Sequence, residues 1–293
     1  MSQQKRIAFV IPLDTSRHLQ FAENLGDLKS EFSDVFVILS RSSDLALVGP
    51  LLDSRCKILV MTDWITEDAI IICERRRGMA TFKKWSALRR LLDSYDAANL
   101  YSHCICCDSE LRVIHPIDEK FVDSLPKQFL FVGDHLSPHT SYDGYRYILN
   151  CALAAAPCSV ETQSRPGGCV GQLMSWWSGV PVYAVDSLSE FLSAAGADDP
   201  MALAKSLKWE IFDHSVYQHY VVSHRLHDSE FICLSHYLKT PTGWSLDDVA
   251  TPQAIAAAEA IGFATLWASQ KTLNRLPFLR DRIYIEYHLD RQK

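Results

Sequence analysis

Over the first 110 positions, unbroken apolar runs alternate with stretches of helical spacing. Residues 6–13 read Arg-Ile-Ala-Phe-Val-Ile-Pro-Leu. A continuous run of this kind, stopped by a proline, predicts a strand buried on both faces. Residues 18–32 place Leu19, Phe21, Ala22, Leu25 and Leu28 at helical spacing. A second strand is expected at 34–39, ending in Ser40-Arg41, and a third at 56–61 after a short helical segment. Residues 81–95 put Phe82, Trp85, Leu88, Leu91 and Leu92 on one helical stripe, with Lys83, Lys84, Arg89 and Arg90 around it. That helix feeds a fourth apolar run, Cys104 to Cys107. Strand and helix in alternation predict an α/β, Rossmann-like fold: a mostly parallel central sheet flanked by helices.

The second half is less regular. His115-Pro116 makes a turn, and residues 127–132 read as a strand. Residues 133–147 are polar and aromatic, and Pro166-Gly167-Gly168 breaks the chain. A strand is expected at 180–185, closed by Asp186, with Ser187-Leu188-Ser189-Glu190 in the capping-box pattern of a helix start. Helices are expected at 209–222 and, alanine-rich, at 254–267, with strand-like runs at 231–234 and 282–287. There is no internal repeat and no low-complexity linker. The preferred partition is one domain, 1–293, whose first half (about 6–132) gives way near Gly133 to an elaborated C-terminal half (about 133–293).

Composition narrows the partners. Hydrophobic residues at 48% and charged residues at 22% fit an ordinary globular protein. A net charge of -6 argues against a nucleic-acid partner. No apolar run approaches the ~20 residues of a membrane-spanning helix. The N-terminus runs into a strand with no cleavage site, so no signal peptide and a cytoplasmic location are expected. Nine cysteines cannot all pair with one another, and several sit in apolar runs, as free thiols in a reducing compartment do. Cys104, Cys106 and Cys107 lack the paired spacing of a zinc site. Nothing in the sequence sets the oligomeric state.

In a parallel α/β sheet, ligands collect beyond the carboxyl ends of the strands. Those ends carry Pro12, Ser40 and Asp108-Ser109-Glu110. The glycine patterns of dinucleotide-binding and P-loop proteins are absent. Asp108 and Glu110 stand at i and i+2, on the same side of an extended chain. Two such carboxylates repel unless a cation, proton or basic group lies between them. A divalent metal carrying a phosphorylated substrate is the functional reading, and two solvated acids where a strand meets a loop is the plain one. Lys84, near the start of its helix, would lie at the same sheet edge and meet a phosphate as a point charge; the alternative is a solvated basic face.

Lys84-Trp85-Ser86-Ala87-Leu88, then Leu91-Leu92-Asp93-Ser94-Tyr95, then Asp108-Ser109-Glu110 follow the order of a GT-A glycosyltransferase. Ser175-Trp176-Trp177-Ser178-Gly179-Val180-Pro181-Val182 and residues 212–220 also resemble enzymes of this kind from bacteria and large viruses. The chain has glutamate where the family's Asp-x-Asp motif has its second aspartate. The resemblance implies a GT-A-like fold that moves a sugar from a nucleotide-diphosphate sugar to an acceptor hydroxyl on a glycan, lipid or protein, as in polysaccharide biosynthesis. It implies a divalent ion, manganese or magnesium, on Asp108 and Glu110, completed by a histidine of the C-terminal half. His236 is the first choice for that histidine, with His214 and His224 also candidates. Pro12, Ser40, Lys84 and Asp108 would meet the donor. Asp186 would be the base that takes the acceptor's proton, with Asp213 second; as a helix-entry residue Asp186 is equally well explained. Trp176, Trp177, Tyr183 and Trp244 would stack on sugar rings or fill the core. The competing readings are a sugar-nucleotide nucleotidyltransferase, which lacks its glycine- and arginine-bearing loop here, and a catalytically silent binding module of the same fold.

Overall fold

The computed structural model describes residues 5–125, 130–132, 155, 180–224, 231–233 and 266–289. The strands among them are β1 (Arg6–Pro12), β2 (Ser33–Leu39), β3 (Lys57–Val60), β4 (Tyr101–Cys106), β5 (Leu111–Val113), β6 (Leu130–Val132), β7 (Val182–Ala184), β8 (Phe231–Cys233), β9 (Trp267–Ser269) and β10 (Ile285–Tyr287). The α-helices are α1 (Leu45–Val48), α2 (Glu67–Arg75), α3 (Met79–Ser94), α4 (Ala97–Leu100), α5 (Glu119–Ser124), α6 (Val185–Ala194), α7 (Pro200–Ser206), α8 (Asp213–His224) and α9 (Gln270–Arg275).

The chain divides into two compact units. The first comprises Met1–Asp123, Val180–Trp209 and Thr265–Lys293, and the second Ser124–Gly179 and Glu210–Ala264. The first unit holds a five-stranded sheet in the order β3-β2-β1-β4-β7. Its first four strands are mutually parallel, with Phe9 opposite Val35 on one side and Ile105 on the other. The mostly parallel central sheet expected from the apolar runs is therefore present. Every residue of β2 and the middle of β1 are buried, which is why both read as unbroken hydrophobic runs. Each large side chain so buried contributes roughly 1.5–3 kcal/mol.

Helix α3 packs against β1 and α6. Its stripe of Phe82, Trp85, Leu88 and Leu91 is buried, and the Trp85 ring meets Phe191 of α6 edge-on, centroids 5.5 Å apart. Of the two readings given above for Tyr183, sugar stacking or core, the core one holds. Tyr183 is fully buried, stacks on Phe191 and accepts a 3.4 Å hydrogen bond from the Trp85 indole.

Four local expectations change. Residues Leu19–Leu28 form 3-10 turns rather than an α-helix; the run includes Gly26, where a Cβ would stand 2.5 Å from that of Asp53. Helix α6 starts at Val185, so Ser187 is not its N-cap; the Ser187 hydroxyl donates back to the Ala184 carbonyl. Helix α8 starts at Asp213, four residues later than expected, with that carboxylate in its first turn where the helix dipole favours it. Trp267 opens β9 rather than closing a helix, and residues 254–265 lie outside the described residues.

A second sheet of the first unit, ordered β5-β10-β9, begins directly after the Asp108–Glu110 turn. Strand β10 is antiparallel to β5 and parallel to β9. The fully buried Glu286 of β10 is held by the guanidinium groups of Arg112 and Arg280. The Leu289 amide donates to the Glu110 carbonyl at 3.2 Å, which ties the C-terminal segment to the acidic turn. In the second unit, β6 and β8 pair in parallel. Among the described residues no helix is long and apolar enough to cross a membrane.

Candidate functional site

A cleft of about 930 Å³ opens in the first unit at the carboxyl ends of β1, β2 and β4. This is where a parallel sheet presents loop residues and adjacent strand-end side chains to a ligand. Pro12, Asp14, Ser16, Arg17 and His18 line it from the segment after β1, and Ser40 from the end of β2. Glu74, Arg77, Met79, Ala80 and Lys83 line it from the α2–α3 junction, Asp108, Ser109 and Glu110 from the end of β4, and Trp209 from the segment after α7.

The acidic turn is fixed from two directions. On the β1 side, His18 Nδ1 lies 3.1 Å from the Ser109 hydroxyl, and its Nε2 lies 3.5 Å from Glu110 Oε1. Glu110 itself is buried. On the α3 side, Lys84 Nζ stands 3.3 Å from Asp108 Oδ1, with Asp108 partly open to the cleft. Lys84 is buried and is directed at Asp108 rather than lining the cleft.

Lys83 does line the cleft. It is 8% exposed, and its ammonium donates to the Leu13 carbonyl at 2.9 Å. Burial lowers its pKa, opposed by the charges of Asp14, Asp44 and Glu74 and reinforced by Arg41. Asp14 is pulled the other way on balance. Burial raises it, but hydrogen bonds from the Ser16 hydroxyl and amide and the charges of Lys83 and His18 leave its pKa below the ordinary value. Glu74 is also lowered, chiefly by its hydrogen bonds from Arg41, which fork onto both its oxygens at 2.7 and 3.0 Å.

Between α2 and α3 the backbone of Arg77 is left-handed, with φ 60°. It follows the Arg76 C-cap of α2, where glycine is the usual residue. Gly78 comes next, as the N-cap of α3, with no side chain capping that helix. A Cβ at Gly78 would stand 2.9 Å from that of Leu207, so the junction must be glycine there.

Of the residues singled out in the sequence, Pro12, Ser40, Asp108 and Glu110 come together in this cleft, with Lys84 behind Asp108. Asp186 lies in the first turn of α6, away from the cleft lining, and its charge acts on His103 of β4. Burial lowers the His103 pKa against that charge. Asp213 is a buried residue of α8 in the second unit. In that helix the His224 ring stacks on Tyr220 at 4.4 Å. His236, Trp176, Trp177 and Trp244 lie outside the described residues. His18, Arg77, Lys83 and Trp209 were not picked out as site residues from the sequence. A histidine between two polar turns, a second lysine in a run of two, and a lone tryptophan carry no spacing signal. The Arg77-Gly78 pair at the end of a helical segment was the one usable cue.

No protein-family profile and no curated protein matches the sequence. Among solved structures, the chain is similar to the crystal structure of mouse xyloside xylosyltransferase 1 in its apo form. Identity is 13%, coverage is 99% of each chain, and the TM-score is 0.42.

Proposed function

We propose that this chain is a glycosyltransferase that moves a sugar from a nucleotide-diphosphate sugar to an acceptor hydroxyl on a glycan, lipid or protein. The observation that carries the reading is the position of Asp108-Ser109-Glu110. The turn lies at the carboxyl end of a central parallel strand, in a cleft that also holds Lys83, Arg17 and Arg77. Acids and cations in one cleft suit a ligand that brings both phosphates and sugar hydroxyls.

A divalent ion fits this donor set. Magnesium or manganese needs only one or two protein carboxylates when phosphates and water fill the rest of its shell. Asp108 and Glu110 are the residues that would hold it; His236, expected as a third ligand, lies outside the described residues. When bound, such an ion would supply stabilisation of the charge developing on a departing diphosphate. The remaining work falls to this chain's own groups. His18 and Lys84 orient the two acids. The exposed Trp209, at the cleft's edge, offers a face for a nucleobase or sugar ring. Asp186 and Asp213, the acids expected to take the acceptor's proton, lie outside this cleft's lining: Asp186 follows β7, beside His103 toward the amino end of β4, and Asp213 belongs to the second unit.

A second reading draws on the Lys84–Asp108 contact. An ammonium 3.3 Å from the first acid neutralises part of the charge an ion would use, as expected of a silent module that binds nucleotide without turnover. Manganese titration with a nucleoside diphosphate, followed by assay of donor hydrolysis, separates the two. Metal-dependent binding with slow hydrolysis supports the transferase. Metal-independent binding without turnover that survives loss of both acids supports the silent module.

A further inference from the structure

We propose that Lys83 and Arg77, and not Lys84, are the groups that grip the diphosphate in this cleft. The inference rests on the transferase reading and assigns the part of the site that takes the anion.

Lys84 is the less suited of the two adjacent lysines. It is buried behind Asp108, and its charge is directed at that carboxylate. Lys83 is one position earlier, so its side chain leaves α3 about 100° around the helix, and it lines the cleft. An ammonium has three donors, and the Leu13 carbonyl takes one of those of Lys83. No carboxylate of the described residues lies within ion-pair distance of it. A nine-tenths-buried cation in this state gains from any anion that enters.

Arg77 lines the same cleft. Its guanidinium makes no hydrogen bond or ion pair among the described residues, although its backbone is held in the left-handed conformation that is unfavourable for a non-glycine residue. Glycine would fill that position without strain. An arginine kept there, beside a ligand-sized opening, is strain located where a function would use it. A planar guanidinium matches two phosphate oxygens at once. The first turn of α3, which no side chain caps, lies between the two cations and presents Met79 and Ala80 to the cleft. Its dipole adds to the positive potential.

The test is calorimetric binding of inorganic pyrophosphate, UDP and GDP to the full chain with manganese, alongside uridine and guanosine. Lys83→Met and Arg77→Gly should each weaken diphosphate binding by about 10- to 100-fold, the loss of a charge-assisted contact. Lys83→Arg should keep most of the affinity. Arg77→Gly should also raise the melting temperature of the ligand-free protein, a combination that a purely structural arginine would not give. Should Lys83→Met fail to fold, Arg77→Gly decides alone, because it relieves the backbone. If the wild type binds diphosphates and both variants bind them equally well, this assignment is overturned and the transferase reading stands. If the wild type binds no diphosphate, both are overturned.

Discussion

Asp34 lies beneath the sheet's amino end with three cations around it. Arg6 and Lys29 stand 2.8 Å from its Oδ1, Lys57 3.8 Å from Oδ2, and the Tyr101 hydroxyl donates at 2.7 Å. Burial raises its pKa, but the hydrogen bonds from Lys29 and Tyr101 and the lysine charges outweigh that and leave it lowered. A carboxylate whose pKa is lower folded than unfolded stabilises the fold above the unfolded value of about 3.9 and loses that contribution as pH falls through the folded value. Asp34→Asn should therefore cost stability at neutral pH, by roughly 1–3 kcal/mol. The difference from the wild type should shrink below about pH 4, measurable by urea unfolding across pH. An equal gap at pH 3 and pH 7 would refute the role. At the same scale, Trp209 is 52% exposed and lines the cleft. Trp209→Ala should leave stability within about 0.5 kcal/mol and weaken nucleotide-sugar binding by roughly 1–3 kcal/mol, the worth of a base on an aromatic face. Parallel melting and titration curves check both halves of that statement.

At the scale of elements, α3 joins fold to site. One face packs on β1 and α6 through Phe82, Trp85 and Leu88, and its first turns carry the two lysines. Phe191→Ala, on the facing α6, should destabilise the chain by about 3–5 kcal/mol through lost burial and a cavity. Equilibrium unfolding reads that loss, and a change under 1 kcal/mol would mean the α3–α6 packing is wrong. Strands β1 to β4 and α3 were legible in the sequence because burial on both faces or along one stripe writes itself as an apolar run. The addition of β7 antiparallel to β4 was not, since pairing between residues about eighty positions apart leaves no local mark. Nor was the place of β10 between β5 and β9, antiparallel to one and parallel to the other. The strand-end acids were legible from their spacing, but which of two adjacent lysines faces the cleft depends on how α3 is rotated against the sheet. That rotation is set by Trp85 and Phe191 and not by the lysines themselves.

For the whole molecule, a net charge of -6 makes the cations of one cleft the more telling. Arg17, Arg77 and Lys83 stand there beside Asp14, Glu74, Asp108 and Glu110, and a nucleotide held by those cations should bind more weakly as salt rises, since the Debye length falls from about 10 Å at 0.1 M to about 3 Å at 1 M. Two compact units are present, and the cleft is built wholly within the first. A ligand that binds only the folded state raises apparent stability by mass action. The most direct measurement of the central claim is thus a thermal-shift comparison of wild type and Asp108→Ala with UDP- and GDP-sugars, with and without manganese. The account predicts a wild-type shift that needs both sugar nucleotide and metal, and loss of the metal-dependent part in the variant. An identical shift in the two proteins would contradict it.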